Sequence, residues 1–262
     1  MALKLFAALH ARQPLLTRFG LLLLGCALLT ACLQLVDART FMGQPTWAKP
    51  TRFFLSIGVF ALTAAWFIGD VQAPQRDSGL LRATAWALVV TGAYEAFYIA
   101  YRAAFAEASH FNFSTGWATL GYALMGVGAV VLVGTSLPIA WAVWRHPRPD
   151  LAPHCQLAVV IGLLLTVVLG GGLGGYMSST GAHSVGATGS SLPITGWNRA
   201  GGDLRVAHFL GLHAEQILPA AAVVIGWVFA RGRRIAVVAC TGALAIATLA
   251  ALAQAVGGRP IV

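Results

Sequence analysis

Two histidines and one glutamate interrupt a segment that is otherwise apolar enough to span a membrane. His208, His213 and Glu215 lie within residues 206–222, and ionisable side chains at bilayer depth usually mark a functional site because burying them costs free energy. Neutral imidazoles oriented by a carboxylate can hold iron, copper or zinc, and the same groups can relay protons. Pro219 follows Glu215 by four residues. It leaves the Glu215 carbonyl without its helical donor and predicts a kink there.

A second glutamate is expected at a similar depth in another apolar segment. Glu95 precedes Arg102 by seven residues, and His213 follows Arg205 by eight. At about 1.5 Å rise per residue, both side chains lie roughly 10–12 Å below the outer boundary. We therefore predict Glu95, His213 and Glu215 as catalytic residues, with Glu95 facing His213. The structural alternative is that Glu95 ties its helix to a neighbour as a hydrogen-bonded or protonated carboxyl.

Four histidines are expected at or near the outer face of the membrane. The predicted metal ligands are His208, His213, His110 and His183, and the predicted cofactor-binding residues are His208 and His110; the cofactor is either haem or a transition metal ion (Fe, Cu or Zn). The alternatives are interfacial packing for His208 and an ordinary loop position for His110. The glycine-rich run 170–175 is either a helix-packing surface or the place where a flat cofactor or substrate lies.

The composition is that of an integral membrane protein. Hydrophobic residues make up 58% of the chain and charged residues only 10%, which no soluble domain of this size matches. Seven apolar runs each reach the roughly 17–25 residues that a helix needs to cross the hydrocarbon core. The runs are 19–36, 53–69, 83–101, 117–143, 155–176, 206–230 and 235–258. The sequence therefore predicts an all-α, polytopic membrane helix bundle with seven transmembrane helices in a single domain over residues 1–262.

The distribution of basic residues predicts the orientation. With the N-terminus inside, ten of the 17 Lys and Arg residues fall on the inner side, three of them in the short turn 231–234. The positive-inside rule then places the N-terminus in the cytoplasm and the C-terminus in the periplasm of a bacterial inner membrane. The basic residues are scattered over both faces, so the net charge of +9 does not indicate nucleic-acid binding.

The cysteines do not suggest a disulfide framework or a zinc site. They fall inside or at the edge of the apolar runs and have no C-x-x-C spacing; they are Cys26, Cys32, Cys155 and Cys240. We read them as small buried residues. Residues 29–32, which follow Arg12 and Arg18, also resemble a lipoprotein signal with a lipidated Cys32, but six further spans would make a lipid anchor redundant. An ordinary first helix is therefore the expectation.

Three stretches, 47–53, 109–112 and 202–213, resemble a family of uncharacterised multi-spanning bacterial membrane proteins, which implies no particular activity. A weaker resemblance is to haem A synthase-type membrane proteins, in which a glycine pair and a Ser/Thr-Gly turn precede a helix with haem-ligand histidines. Here the matching positions are 174–175, 179–181 and His208. This resemblance implies that His208 ligates haem.

Two classes of function compete on this evidence. The first is an integral membrane redox protein or metalloenzyme with its His/Glu site near the outer leaflet, such as a haem- or metal-dependent oxidoreductase acting on a lipophilic substrate or quinone; a metal-assisted lipid hydrolase is a variant. The second is a proton- or cation-coupled transporter that uses the same intramembrane Glu and His residues. We favour the first, because no internal repeat is detectable and no polar path continues into the inner half.

Overall fold

The structure is a computed structural model that describes residues 2–261. Helix accounts for 73% of the residues, so the chain is mostly helical, as predicted. The described part has two short antiparallel strand pairs: β1 (Thr40–Phe41) with β2 (Gln44–Pro45), and β3 (Ser184–Val185) with β4 (Gly202–Asp203). Several long apolar helices are consistent with a membrane protein, because a helix satisfies its own backbone hydrogen bonds in lipid.

Contacts divide the chain into two compact units. Unit 1 ends at Thr135 and unit 2 begins at Ser136. The helices of unit 1 are α1 (Ala2–Arg12), α2 (Pro14–Val36), α3 (Ala48–Ile68), α4 (Ala73–Arg76), α5 (Gly79–Ala104) and α6 (Gly116–Gly134). Those of unit 2 are α7 (Ser136–Arg145), α8 (Pro153–Leu165), a π-helix (Thr166–Gly171), α9 (Gly172–Thr180), α10 (Leu204–Leu212), α11 (Ala214–Val228) and α12 (Arg233–Val256).

In unit 1, small residues let the helices approach closely. A Cβ atom at Gly20 of α2 would lie 2.9 Å from the carbonyl oxygen of Gly58 in α3, so these two helices pack backbone to backbone. At one end of the unit, the Arg12 guanidinium lies 2.8 Å from the Asp70 carboxylate and stacks over the Trp66 ring. This partly buried ion pair fixes α1 against the end of α3.

In unit 2, an apolar core joins α8, α11 and α12. Its buried members are Ala158, Ala214, Leu218, Ala222, Ile225, Val237 and Leu244. Close approach again depends on glycine, because a Cβ atom at Gly162 would lie 2.9 Å from the Ala214 carbonyl oxygen. The core therefore holds the start of α11 directly against α8.

Seven membrane spans are not confirmed, because within residues 2–261 five segments are long and apolar enough to cross a membrane. They are Pro14–Val36, Ala48–Ile68, Gly116–Arg145, Pro153–Thr180 and Arg233–Val256. A sixth is obtained if α10 and α11, which bend by 54° at their junction, count as one broken span. The predicted run 83–101 lies within α5, which is not among these segments.

Run 206–230 is broken at a position that was not predicted. The helix breaks at His213, which has φ −88° and ψ 7°, two residues before Glu215, and α11 continues through Pro219. The kink expected from Pro219 stays a prediction. Asp203 is the N-cap of α10, since its side chain accepts a hydrogen bond from the Arg205 backbone N–H.

Candidate functional site

Glu215 lies in the first turn of α11, directly after the helix break, and its side chain is inside unit 2 with only 1% of the residue exposed. Its Oε2 atom accepts a hydrogen bond from the Ser136 hydroxyl at 3.3 Å. Its Oε1 atom accepts one from the Gln216 amide Nε2 at 2.9 Å. Both donors are neutral, and no ion pair to Glu215 is found within residues 2–261.

The hydroxyl of Thr166 stabilises the helix break by hydrogen bonding to backbone groups on both sides of it. It donates to the Leu212 carbonyl at 3.1 Å and accepts from the Glu215 backbone N–H at 3.2 Å. These are two of the backbone groups that lose their helical partners when α10 ends and α11 begins. Thr166 is the first residue of the π-helix, a local feature that is common at functional sites. One side chain from a different helix thus makes the break tolerable in an apolar environment.

His213 extends the polar chain towards the surface of unit 2. Its Nδ1 atom lies 3.1 Å from the Gln216 Oε1, and because Gln216 uses its Nε2 to donate to Glu215, its oxygen must accept from the imidazole. The ring packs on Phe209 with centroids 4.1 Å apart. A continuous hydrogen-bonded chain therefore runs from half-buried His213 through Gln216 to Glu215.

His208 is oriented by a different partner. Its Nδ1 atom lies 2.8 Å from the Gly170 carbonyl oxygen, which can only accept, so Nδ1 carries the proton and Nε2 has the lone pair. A Cβ atom at Gly174 would lie 3.0 Å from the imidazole Cε1, and one at Gly211 would lie 2.6 Å from the Gly170 nitrogen. The glycine run is thus a packing surface for α10 at Gly170 and Gly174.

Glu95, in unit 1, has a contrasting environment. Only 4% of the residue is exposed, and its Oε1 atom has no hydrogen-bond partner among the described residues. This oxygen faces Gly128 of α6, where a Cβ atom would lie 3.3 Å away. One turn later, the buried hydroxyl of Tyr98 packs on Gly121 and has no hydrogen-bond partner within residues 2–261. The predicted contact between Glu95 and His213 joins residues of the two units and stays a prediction.

His110 is part of a basic cluster in unit 1. The Lys49 ammonium lies 2.8 Å from the Ser109 hydroxyl and 3.1 Å from the His110 Nδ1. Because an ammonium only donates, this nitrogen is the acceptor. A positive charge at that distance opposes a metal ion at the same nitrogen. The ring also contacts three aromatic rings, those of Phe53, Phe111 and Tyr122, so lysine and aromatic side chains surround it.

His183 lies in the long loop of unit 2, immediately before β3, with its Nδ1 atom 3.0 Å from the Ser184 hydroxyl. Its carbonyl accepts from the Leu204 backbone N–H at the start of α10. Across residues 2–261, no group of three or more His, Cys, Asp or Glu side chains is arranged to hold a metal ion. The predicted histidine ligands therefore do not form a metal site of that kind.

Asp203 fastens the same loop to α10. Its carboxylate accepts from the Asn198 backbone N–H at 2.7 Å and from the Arg205 Nε at 2.9 Å. Burial opposes ionisation of this group, but the hydrogen bonds and charge of Arg205, with the backbone donors, outweigh it and lower the pKa of Asp203. This ion pair is the main electrostatic anchor between the loop and the helix that carries His208.

Comparisons with protein-family models, with curated proteins and with solved structures give no match to this chain. The resemblances to the uncharacterised membrane family and to haem A synthase-type proteins therefore stay predictions. The candidate site rests on its geometry alone. Two of its residues, Ser136 and Thr166, were not predicted from the sequence. The sequence shows only that each is a hydroxyl residue within an apolar run; the structure shows that both are fully buried.

Proposed function

We propose that this chain is a seven-span protein of the bacterial inner membrane that couples transport of a solute or cation to proton binding at Glu215. In this proposal α5 and the broken pair α10–α11 are added to the five apolar segments. The 26 residues of α5 suffice to span at about 1.5 Å per residue, and Arg82, Glu95 and Arg102 account for its lower hydropathy. The N-terminus is cytoplasmic and the C-terminus periplasmic, as the positive-inside rule indicates.

The observation that carries the proposal is a fully buried carboxyl at a broken helix with only neutral donors around it. A carboxylate without a counter-ion is costly in an apolar environment, and binding a proton or a small cation removes that cost. Helix breaks at membrane depth are typical of transporter binding sites, because they free backbone groups and helix ends. Gln216 links Glu215 to half-buried His213, whose imidazole can bind and release protons close to the carboxyl.

The proposal is tested with the full chain reconstituted into phosphatidylethanolamine/phosphatidylglycerol vesicles. A sodium or potassium gradient across the vesicle membrane supplies the coupled cation, and a trapped dye reports internal pH. We expect protein-dependent exchange of that cation for protons, which Glu215→Gln abolishes. Glu107→Gln is the matched control, since it removes a carboxyl that lies in a loop and is paired with Arg102; it should behave as the wild type. Wild-type vesicles that match empty ones, or an active Glu215→Gln variant, would overturn the proposal.

A second candidate is a membrane redox protein or metalloenzyme, and the orientation of His208 favours it. Its Nδ1 proton is fixed by the Gly170 carbonyl, which is how histidine ligands are commonly held with Nε2 towards a metal. Because no cluster of three ligands occurs in the described residues, a haem that His208 would hold through Nε2 fits better than a metal ion held by several side chains. Bound haem would supply electron transfer, with a lipophilic substrate or quinone as partner.

The test of this second candidate is an absorption spectrum with elemental analysis of the purified protein. Haem or a stoichiometric transition metal that is lost in His208→Ala would support it. A folded protein without either would reject it.

A further inference from the structure

A basic cavity of about 420 Å³ lies in unit 2, where α8 begins, α11 ends and α12 begins. Its lining includes Arg231, Arg233, Arg234 and His154, and none of its eight lining residues is acidic. None of its lining residues belongs to the Glu215 site, and the proposed transport function does not involve it.

The arginines of this cavity are available for a ligand. Arg231 and Arg234 are exposed and make no ion pair within the described part of the chain. Arg233 is held in place, because its Nε donates to the Phe229 carbonyl at 2.6 Å. The result is three guanidinium groups around one opening without a neutralising carboxylate, which is a strong local positive field.

Two helix N-termini add to that field. The cavity touches Pro153 at the start of α8 and Arg233 at the start of α12. Neither helix has a side-chain cap, since Ala152 and Gly232 make no capping hydrogen bond. The first backbone N–H groups and the positive dipole ends of both helices are therefore free to interact with an anion.

His154 completes the polar wall. The residue is only 6% exposed, and its Nε2 atom faces Gly226 of α11, where a Cβ atom would lie 3.0 Å away. Glycine at position 226 leaves room for the imidazole, and the same Nε2 atom lies 3.6 Å from the Cys155 Sγ. The arrangement combines a buried imidazole, three arginines and two uncapped helix ends.

We propose that this cavity binds the phosphate of an anionic phospholipid headgroup. Phosphate is the anion that matches a fork of guanidinium groups and free helix N–H donors. A lipid is the source because exposed apolar side chains accompany the arginines: Ile235, which lines the cavity, is 76% accessible, and Trp227, in the last turn of α11, is 81% accessible. These residues lie at the ends of apolar helices, where acyl chains begin and where basic pockets collect anionic lipids.

Native mass spectrometry of the full chain in detergent tests the proposal, with dioleoylphosphatidylglycerol as the probe and dioleoylphosphatidylcholine as the neutral reference. We expect one tightly retained phosphatidylglycerol and little retained phosphatidylcholine. The double variant Arg231→Gln/Arg234→Gln should bind phosphatidylglycerol about tenfold or more weakly, because each lost arginine removes one charge contact. Replacing both by lysine should restore part of the affinity.

The matched control is Arg82→Gln/Arg145→Gln, which also removes two exposed arginines and lies outside the cavity lining. It should leave phosphatidylglycerol retention unchanged. Equal retention of the two lipids, or equal loss in the control and cavity variants, would overturn the proposal. Displacement of phosphatidylglycerol by millimolar inorganic phosphate would identify free phosphate as the ligand and would also overturn it.

Discussion

Glu95 and Glu215 are both buried glutamates within helices, yet their surroundings differ. Glu215 begins a helix after a break and accepts hydrogen bonds from Ser136 and Gln216. Glu95 lies within the continuous helix α5, and one of its oxygens has no partner among the described residues. A buried acceptor without a donor costs about 1–3 kcal/mol. Burial alone therefore does not define a site. Of these two glutamates, Glu215 is the one with a hydrogen-bond donor at each carboxylate oxygen.

The largest expected loss of stability comes from a substitution at the helix break between α10 and α11. Thr166→Val removes the one hydroxyl that satisfies both Glu215 N–H and Leu212 C=O, so two buried backbone groups lose their partner. We expect a loss of about 2–4 kcal/mol in the free energy of unfolding, measured by denaturation in mixed micelles.

The matched control for this change is Thr248→Val. Thr248 is equally buried, but its hydroxyl donates to Leu244 within its own uninterrupted helix, whose carbonyl already accepts a helical bond. It should cost less than about 1 kcal/mol. Equal losses for the two variants would mean that the hydroxyl at the break has no special role.

Replacing each glutamate by methionine measures how much its carboxyl contributes to the free energy of unfolding. Glu215→Met leaves the Ser136 and Gln216 donors without their acceptor, so we expect a loss of about 1–3 kcal/mol. Glu95→Met removes an unsatisfied oxygen from an apolar setting and should leave stability unchanged or slightly raised. The same unfolding assay measures both. A larger loss for Glu95→Met than for Glu215→Met would contradict this expectation and would mean that the Glu95 carboxyl makes a stabilising hydrogen bond.

How much of this could be predicted from the sequence depends on how local each feature is. The central parts of α2, α3 and α12 follow from the apolar runs 19–36, 53–69 and 235–258, but α2 and α3 each begin five residues before their runs. The break at His213 was not predictable, because it is stabilised by Thr166, a residue 46 positions from Leu212 in the chain. Pro219, the local signal, predicted a kink at Glu215, two residues after the break.

A smaller, pH-dependent effect is expected at the loop of unit 2. The pKa of Asp203 is lowered in the folded protein from its usual value of 3.8, so its ion pair stabilises the fold above that pH. The contribution is lost as pH falls through the lowered pKa. We expect the gap in melting temperature between wild type and Asp203→Asn to be constant near neutral pH and to shrink below about pH 4. A gap that widens in acid would contradict this sign.

Proton binding at Glu215 is tested most directly by infrared difference spectroscopy of the carboxyl C=O stretch in reconstituted membranes, recorded between acidic and alkaline buffers. We expect a protonated-carboxyl band that titrates in the wild type, persists in Glu95→Gln and disappears in Glu215→Gln. Ser136→Ala should shift the band, because the Ser136 hydroxyl donates to the Glu215 carboxyl. A titrating band that survives in Glu215→Gln would mean that Glu215 is not the proton-binding group.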